Sequence, residues 1–480
     1  MKRIVALTLC MLLMAAVVFT GCSKDSGTPA EEPSAPADSE APADETPAEE
    51  PAEEVADDPD VSVLNLWSFT DEVPNMMAKY AELNPDFALE VVPTIIATTD
   101  GAYQPALDQA LAAGGAEAPD MYTAEAAFVL KYTQGDAAQF AASYKDLGID
   151  VDTLLEEAAI APYTVDIGTR PDDGALVGLG YQATGGAFIY RRSLAIDTWG
   201  TDDPAEIGTI VGPGWDKFFE AAADLKEKGY GIVSGDGDVW HAVENSSEQG
   251  WIVDGALVIP PEREAFLDIS MKLKENDYHN DTQDWQDAWF ADMSGTGPKP
   301  IFGFFGPAWL INYVMAGNSG DDPETEEYEG TYGDWAVCEP PVGFFWGGTW
   351  VIGNKDTAIP ATVGDVIEWI TLDSSDTGLQ YFWANGTLNG PGGTKDTVAS
   401  GTVMAKSDGT LDFLGGQNMF DVFVPATEFA TGKNKTQYDE TINIYWRDQV
   451  RQYTSGEKTR DEAIEAFKQQ VRDNLDVVVD

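Results

Sequence analysis

The chain has 480 residues, and its 83 Asp and Glu against 27 Lys and Arg give a formal charge of −56. That balance excludes nucleic acid as a partner and argues against anionic lipid surfaces, because both require basic surface. The length exceeds what a single hydrophobic core usually fills, so the folded part is expected to divide into two lobes.

At the N-terminus, Lys2 and Arg3 precede an uncharged apolar run from Ile4 to Thr20, the plan of a secretory signal. The run falls short of the roughly 20 apolar residues of a membrane span. The segment Phe19-Thr20-Gly21-Cys22 resembles the lipobox of bacterial lipoproteins. The resemblance implies a signal peptide over 1–21, lipid on Cys22, and an extracytoplasmic protein anchored to the cell membrane, with a Gram-positive cell expected. From Cys22 to residue 60 the chain is rich in Pro, Ala, Glu and Asp, with Lys24 as its one base. Such a segment cannot bury a core, and its prolines and like charges predict a disordered, extended stalk.

The body opens with an apolar strand over Val61 to Trp67 and a helix over Glu72 to Leu83 that Asn84-Pro85 stops. A strand over Ala88 to Pro93, a helix over Gln104 to Ala113 ended by Gly114-Gly115, and a short strand over Asp120 to Tyr122 follow. This β-α-β-α-β order predicts a parallel sheet covered by helices, with ligand beyond the carboxyl ends of the strands. That points to the loops after Trp67 and Tyr122. Further on, Ala187 to Tyr190 reads as a strand, and Gly214 to Lys228 as an amphipathic helix. Pro260-Pro261 opens another helix, Asp321 to Glu329 reads as a solvated acidic loop, and helices are predicted over Val363 to Leu372 and Arg460 to Asn474. With Cys10 in the signal and Cys22 lipidated, Cys338 stands alone. No intramolecular disulfide or cysteine-type zinc site is then possible, and Cys338 in Trp335-Ala336-Val337-Cys338 reads as a core thiol.

Aromatic residues are the clearest chemical signal: 14 tryptophans against 2 histidines. Several stand beside glycine or proline, which mark loops. Trp67 ends a strand, Trp240 follows Gly235-Asp236-Gly237-Asp238, Trp309 closes Gly306-Pro307-Ala308-Trp309, and Trp346 and Trp350 flank Gly347-Gly348. Indole faces suit the apolar faces of a pyranose, and carboxylates and amides suit its hydroxyl rim; the competing reading is ordinary core. Catalytic signals are thin. His241 and His279 belong to no H-E-x-x-H frame, and no G-x-S-x-G occurs. Gly178 to Ala183 matches a dinucleotide fingerprint but runs into a strand rather than a helix. Asp236, Asp238 and Asp408 to Asp412 do not fit a calcium-loop spacing. Accordingly no catalytic residue, cofactor or metal is expected.

The body resembles family 1 of the extracellular solute-binding proteins, the maltose-binding-protein-like receptors of sugar ABC importers. The pieces that carry the resemblance stand in order: LNLWSFTDE (64–72), YAELNPDF (80–87), APDMY (118–122), GALVGLGYQATGGAFIYRRSL (174–194), GWDKFFEAAADLKEKG (214–229), FGPAW (305–309), GDWAVCEPPVGFFWGGTWVIGNKD (333–356) and YWRDQVRQYTSGEKTRDEAIEAF (445–467). The resemblance implies an α/β, two-lobed periplasmic-binding-protein fold of type II, with a multi-strand hinge and a ligand cleft between the lobes. One lobe would hold 61–168 and 343–375, the other 169–342 and 376–480. It implies a monomer that captures a small soluble sugar without catalysis and delivers it to ABC permease subunits. Transferred by position, ligand contacts would come from Trp67, Asp71, Glu125, Tyr181, Gln182, Asp238, Trp240, Trp309, Trp346, Gly347, Gly348 and Trp446. Two alternatives stay open: a surface-anchored glycan-processing enzyme using paired carboxyls, and the same fold binding another solute such as a polyamine.

Overall fold

The computed structural model describes residues 55–98, 101–320, 330–388 and 393–480. The expected signal peptide, the lipidated Cys22, the stalk up to residue 54 and the acidic loop Asp321–Glu329 lie outside the described residues.

The opening β-α-β-α-β unit is present. Strand β1 (Val63–Ser68), helix α1 (Glu72–Leu83), strand β2 (Glu90–Ile95), helix α2 (Tyr103–Ala113) and strand β3 (Met121–Glu125) follow one another, and β1 pairs in parallel with both β2 and β3. Two later strands complete this first sheet. β4 (Gly178–Gly180) lies at its edge and pairs with a strand from far down the chain, Thr349–Gly353, which also pairs antiparallel with β3. Residues 178–180 fall within the range expected for the second lobe, 169–342, but their backbone pairing puts them in the first sheet.

The second sheet uses β5 (Ala187–Arg191), β6 (Gly231–Val233), β7 (Ile301–Gly306) and β8 (Trp335–Cys338), in the order β8-β5-β7-β6. The strand Thr349–Gly353 of the first sheet is β9. In β5, Ala187 and Ile189 join one buried cluster while Phe188 and Tyr190 join another, and in β7 the adjacent Phe304 and Phe305 are divided between the same two clusters. Side chains alternate across a strand, so both faces of this sheet are covered. That is why FIY and IFGFF read as unbroken apolar runs. Cys338 is free, buried and within this core.

Two segments link the sheets side by side, one from β4 to β5 and one from β8 to β9. Gly186 N–H donates to the Phe344 carbonyl at 2.8 Å and Trp346 N–H to the Thr184 carbonyl at 3.1 Å. A third segment adds Ala183 N–H to Thr397 carbonyl at 3.3 Å and Ala399 N–H to Tyr181 carbonyl at 3.0 Å. The crossing is therefore a short hydrogen-bonded ribbon rather than a loose linker.

The last residues of the expected stalk are not extended. The helix Pro360–Thr371 begins with Pro360 after Ile359, which has no side-chain acceptor for its free amides. Asp57 supplies one: its Oδ1 accepts from Ala361 N–H at 2.8 Å and its Oδ2 from the Thr362 hydroxyl at 2.5 Å. A carboxylate at a helix N-terminus is favoured by the exposed N–H groups and the dipole, and this docks residues 55–60 on the first lobe.

Candidate ligand-binding cleft

The strand directions define one functional end for each sheet. The carboxyl ends of β1 and β3 and the amino end of the antiparallel β9 lie together, Thr349 standing opposite Glu125. In the second sheet, β7 ends at Gly306 and delivers Pro307-Ala308-Trp309. Phe69, Glu125, Gly347, Gly348 and Trp309 thus converge through chain direction alone.

Three adjoining cavities occupy this region. A central one of about 480 Å³ is lined by Phe69, Glu72, Glu125, Gln182, Trp285, Trp309, Tyr313, Trp346 and the Gly347-Gly348 turn, among others. A polar one of about 410 Å³ shares Glu125, Trp285, Trp346 and Gly347 with it. It adds His241, Glu244, Asp284, Lys435, Glu440, Arg447 and Arg451. An end cavity of about 300 Å³ shares Thr70, Glu72 and Tyr313 with the central one and adds Asp71, Asn75 and Trp383. A separate hollow of about 840 Å³ bounded by Trp215, Glu262 and Phe429 shares only Asn245 with this row.

The aromatic wall is interlocked. His241 lies flat on Trp346 with ring centroids 3.7 Å apart and planes 14° from parallel. Trp309 meets Trp346 edge-on at 4.7 Å and donates its indole N–H to the Trp346 carbonyl at 3.0 Å. Trp285 runs nearly parallel to Trp309 at 6.3 Å. Gly347 has φ of 75°, and a Cβ there would lie 3.1 Å from the Trp309 indole nitrogen. Gly347→Ala is therefore expected to cost about 1–2 kcal/mol of stability and to displace Trp309, visible as lower denaturant resistance together with altered tryptophan emission.

The polar compartment is organised by ion pairs. Lys435 sits 3.2 Å from Glu244, and Arg447 2.5 Å from Asp284. Burial would push Asp284 up, but His241 and Arg447 beside it hold it below the usual carboxylate range. Two carboxyls on the central cavity behave oppositely. Burial raises Glu72 to about 8, opposed by a hydrogen bond from Tyr313, and Tyr181 also donates its hydroxyl to Glu72. Burial raises Glu125 to about 7; the Ala127 N–H opposes the shift, Glu440 and Glu244 add to it and Lys435 offsets it. Contacts also pass between the lobes here: Gln104 of α2 donates to Glu440 at 3.2 Å, and Asp136 N–H to the Gln437 side chain at 3.2 Å.

Of the residues singled out in the sequence, Glu125, Gln182, Trp309, Trp346, Gly347 and Gly348 line the central cavity, and Asp71 lines the end one. Gln182 also donates to Asp396 at 3.2 Å. Five others need correction. Trp446 is fully buried, edge-on to Phe467 at 4.9 Å and Trp251 at 5.7 Å. It lies on the helix Asp439–Thr454 with Ile442 and Val450, one turn either side, facing the core. Trp240 borders the polar cavity but is 1% exposed and packed on Trp251 and Phe266. The glycine-aspartate run before it is not a loop but the start of the helix Asp236–Ser246. Asp238 is its third residue; it accepts from Gly235 N–H at 3.1 Å and from the Trp289 indole at 2.8 Å, inside the protein. Tyr181 is buried and spends its hydroxyl on Glu72. Trp67 is half-buried against the cluster of Tyr103, Phe128 and Trp350 rather than against any of the three cavities.

The residues that sequence reasoning missed are His241, Asp284, Trp285, Tyr313, Lys435 and Arg447. For the helix Asp439–Thr454 a signal existed. Glu440, Asn443, Ile444, Arg447 and Arg451 recur at three and four residues and share a face turned away from that of Trp446. Trp285 gave no pattern, because its placement depends on a left-handed backbone, φ 64°. Among the described residues no cluster of His, Cys, Asp and Glu could hold a metal ion, and no helix is long and apolar enough to cross a membrane.

No protein-family model matches this chain, and no curated protein matches it in sequence. Solved structures do match over almost their whole length. A protein described as extracellular solute-binding protein family 1 aligns with a TM-score of 0.68 at 20% identity, covering 85% of this chain and 98% of that one. The galacto-N-biose/lacto-N-biose I-binding protein of a Bifidobacterium longum ABC transporter, in complex with lacto-N-biose, aligns at 0.62 and 17% identity over 88% and 100%. The sugar-binding protein MalE of Xanthomonas citri aligns at 0.63 and 14% over 86% and 96%. The chain thus has the two-lobed α/β fold of the extracellular solute-binding proteins.

Proposed function

We propose that this chain is the extracytoplasmic receptor of an ABC importer, a non-catalytic monomer anchored through lipid on Cys22 that captures a small soluble sugar and hands it to membrane permease subunits. The observation that carries the reading is the central cavity. Five aromatic side chains from both lobes and their connections face two carboxyls and an amide across a space large enough for a sugar ring. Binding to both lobes at once is what gives a ligand the differential affinity to favour a closed state. The chain's structural relatives include a lacto-N-biose I-binding protein of an ABC transporter and a sugar-binding protein, and in this chain the lobes meet at a hydrogen-bonded ribbon.

The lining favours the sugar reading over the two alternatives. In the central cavity five aromatic rings outnumber the two carboxyls, a lining that suits a hydroxyl-rich ring better than a polycation. A glycosidase pair separates its acid from its base by driving the two pKa values apart, whereas burial raises both Glu72 and Glu125. Calorimetry and tryptophan fluorescence across neutral mono- and oligosaccharides test the proposal. Saturable heat with a fluorescence change is expected; no response from any sugar, or sugar release from a chromogenic glycoside, would overturn it.

Glu125 gives the reading a pH signature. As a carboxylate it accepts sugar hydroxyls, so affinity should rise as pH climbs through about 7 and Glu125→Gln should flatten the profile. Stability runs the other way. The folded state holds the proton more tightly than an unfolded chain with the usual value of 4.5, so Glu125's contribution is present below that value and is lost as pH rises through about 7. Binding titrations and denaturant melts at pH 5.5, 7 and 8.5 would separate the two trends.

A further inference from the structure

The three cavities form a row in a defined order. The end cavity meets the central one at Thr70, Glu72 and Tyr313, and the central one meets the polar one at Glu125, Trp285, Trp346 and Gly347. Each alone sits in the lower half of the range of about 300–1,000 Å³ typical of small-molecule sites. The row as a whole is larger than one sugar ring can fill.

Two of the side chains shared between compartments are exposed. Tyr313 is 47% exposed and Trp285 50% exposed. Aromatic rings exposed inside a concave groove are surfaces on which a sugar ring can stack. Trp285 is held there by a left-handed backbone, φ 64°, which a bulky residue adopts at a cost and which concentrates at ligand sites. Its neighbour Asp284 is fixed by Arg447, so the turn cannot swing away without breaking that ion pair. The compartments also differ in kind. Among the described residues no Lys or Arg lines the central cavity, whereas three line the polar one.

We propose that the solute is an oligosaccharide of three or more units lying lengthwise through the row, with Trp285 and Tyr313 as the residues that set how many units are held. The inference rests on the sugar-receptor reading above and deepens it. The middle unit stacks on the aromatic wall, one terminal unit presents its hydroxyls to the ion-paired compartment, and the other reaches Asp71 and Asn75 at the start of α1.

The test is calorimetry on the full chain with length series from one to five units of α-1,4-glucosides, β-1,4-glucosides, β-1,4-xylosides and β-1,4-mannosides. Stacking against an aromatic side chain predicts a gain of about three- to tenfold per added unit up to the trimer, then a plateau. Trp285→Ala is expected to weaken trimer binding by a larger factor than monomer binding, removing the gain on one side of the central unit. Trp285→Gly, whose backbone suits the left-handed turn, guards against a folding defect, and Tyr313→Ala should remove the gain on the other side. A monosaccharide that binds as tightly as its trimer, or variants that weaken every length by one factor, would overturn the proposal while leaving the receptor reading intact. Absence of binding by all sugars at all lengths would instead remove the receptor reading, and this inference with it.

Discussion

Trp446→Ala will lower the stability of the fold by about 3–5 kcal/mol, the range for deleting a large buried ring. The indole is fully buried and meets Trp251 and Phe467 at right-angle-like contacts. It ties the helix Asp439–Thr454 to the helix Arg460–Asn474 and to the second sheet's outer core. Its removal leaves a cavity that neighbouring rings cannot close. Denaturant melts should show the loss, while sugar titration well below the new transition should give nearly parental affinity. A large loss of affinity with an unchanged melt would return Trp446 to the cleft.

Trp346→Ala should do the reverse. This side chain faces two of the three compartments and is the common contact of His241, Trp309 and Trp285. Truncation removes a stacking surface and frees His241 to rotate, so both compartments lose shape together. Buried aromatic anchors of this kind cost at least about 2 kcal/mol when deleted, or a rise of about 30-fold in Kd. The melt should move less than for Trp446→Ala, because Trp346 is only partly buried. Unchanged affinity would mean that the aromatic wall is structural and that ligand lies elsewhere.

The contrast between these two tryptophans shows how far the sequence could be read. Elements with strong local signals came through: the helix Glu72–Leu83 stops at Asn84-Pro85, and Arg460–Asn474 starts at Thr459, whose hydroxyl and Glu462 cap each other. The parallel opening followed from apolar periodicity and from the glycine pair after α2. The side on which an aromatic points did not follow, since neighbouring glycine or proline says nothing of it. Around Trp446 the helical period carried that information, with Arg447 one residue further on facing the cavity. Gly235 to Asp238 misled for a different reason: glycine at the N-cap and aspartate three residues later also begin a helix. Asp284 and Lys435 were illegible, because their roles arise from partners about 160 and 190 residues away in the chain, Arg447 and Glu244.

The Asp57 clamp has a mechanical consequence. The chain enters the fold at the helix Pro360–Thr371 and continues directly into β1, so a pull on the upstream segment is taken up by one jaw only. If the lobes close as the proposed receptor would, the ribbon at 182–186, 343–346 and 397–399 is the pivot, with the first lobe as its fixed side. The proposed lipid tether would then load the first jaw and leave the second free to shut.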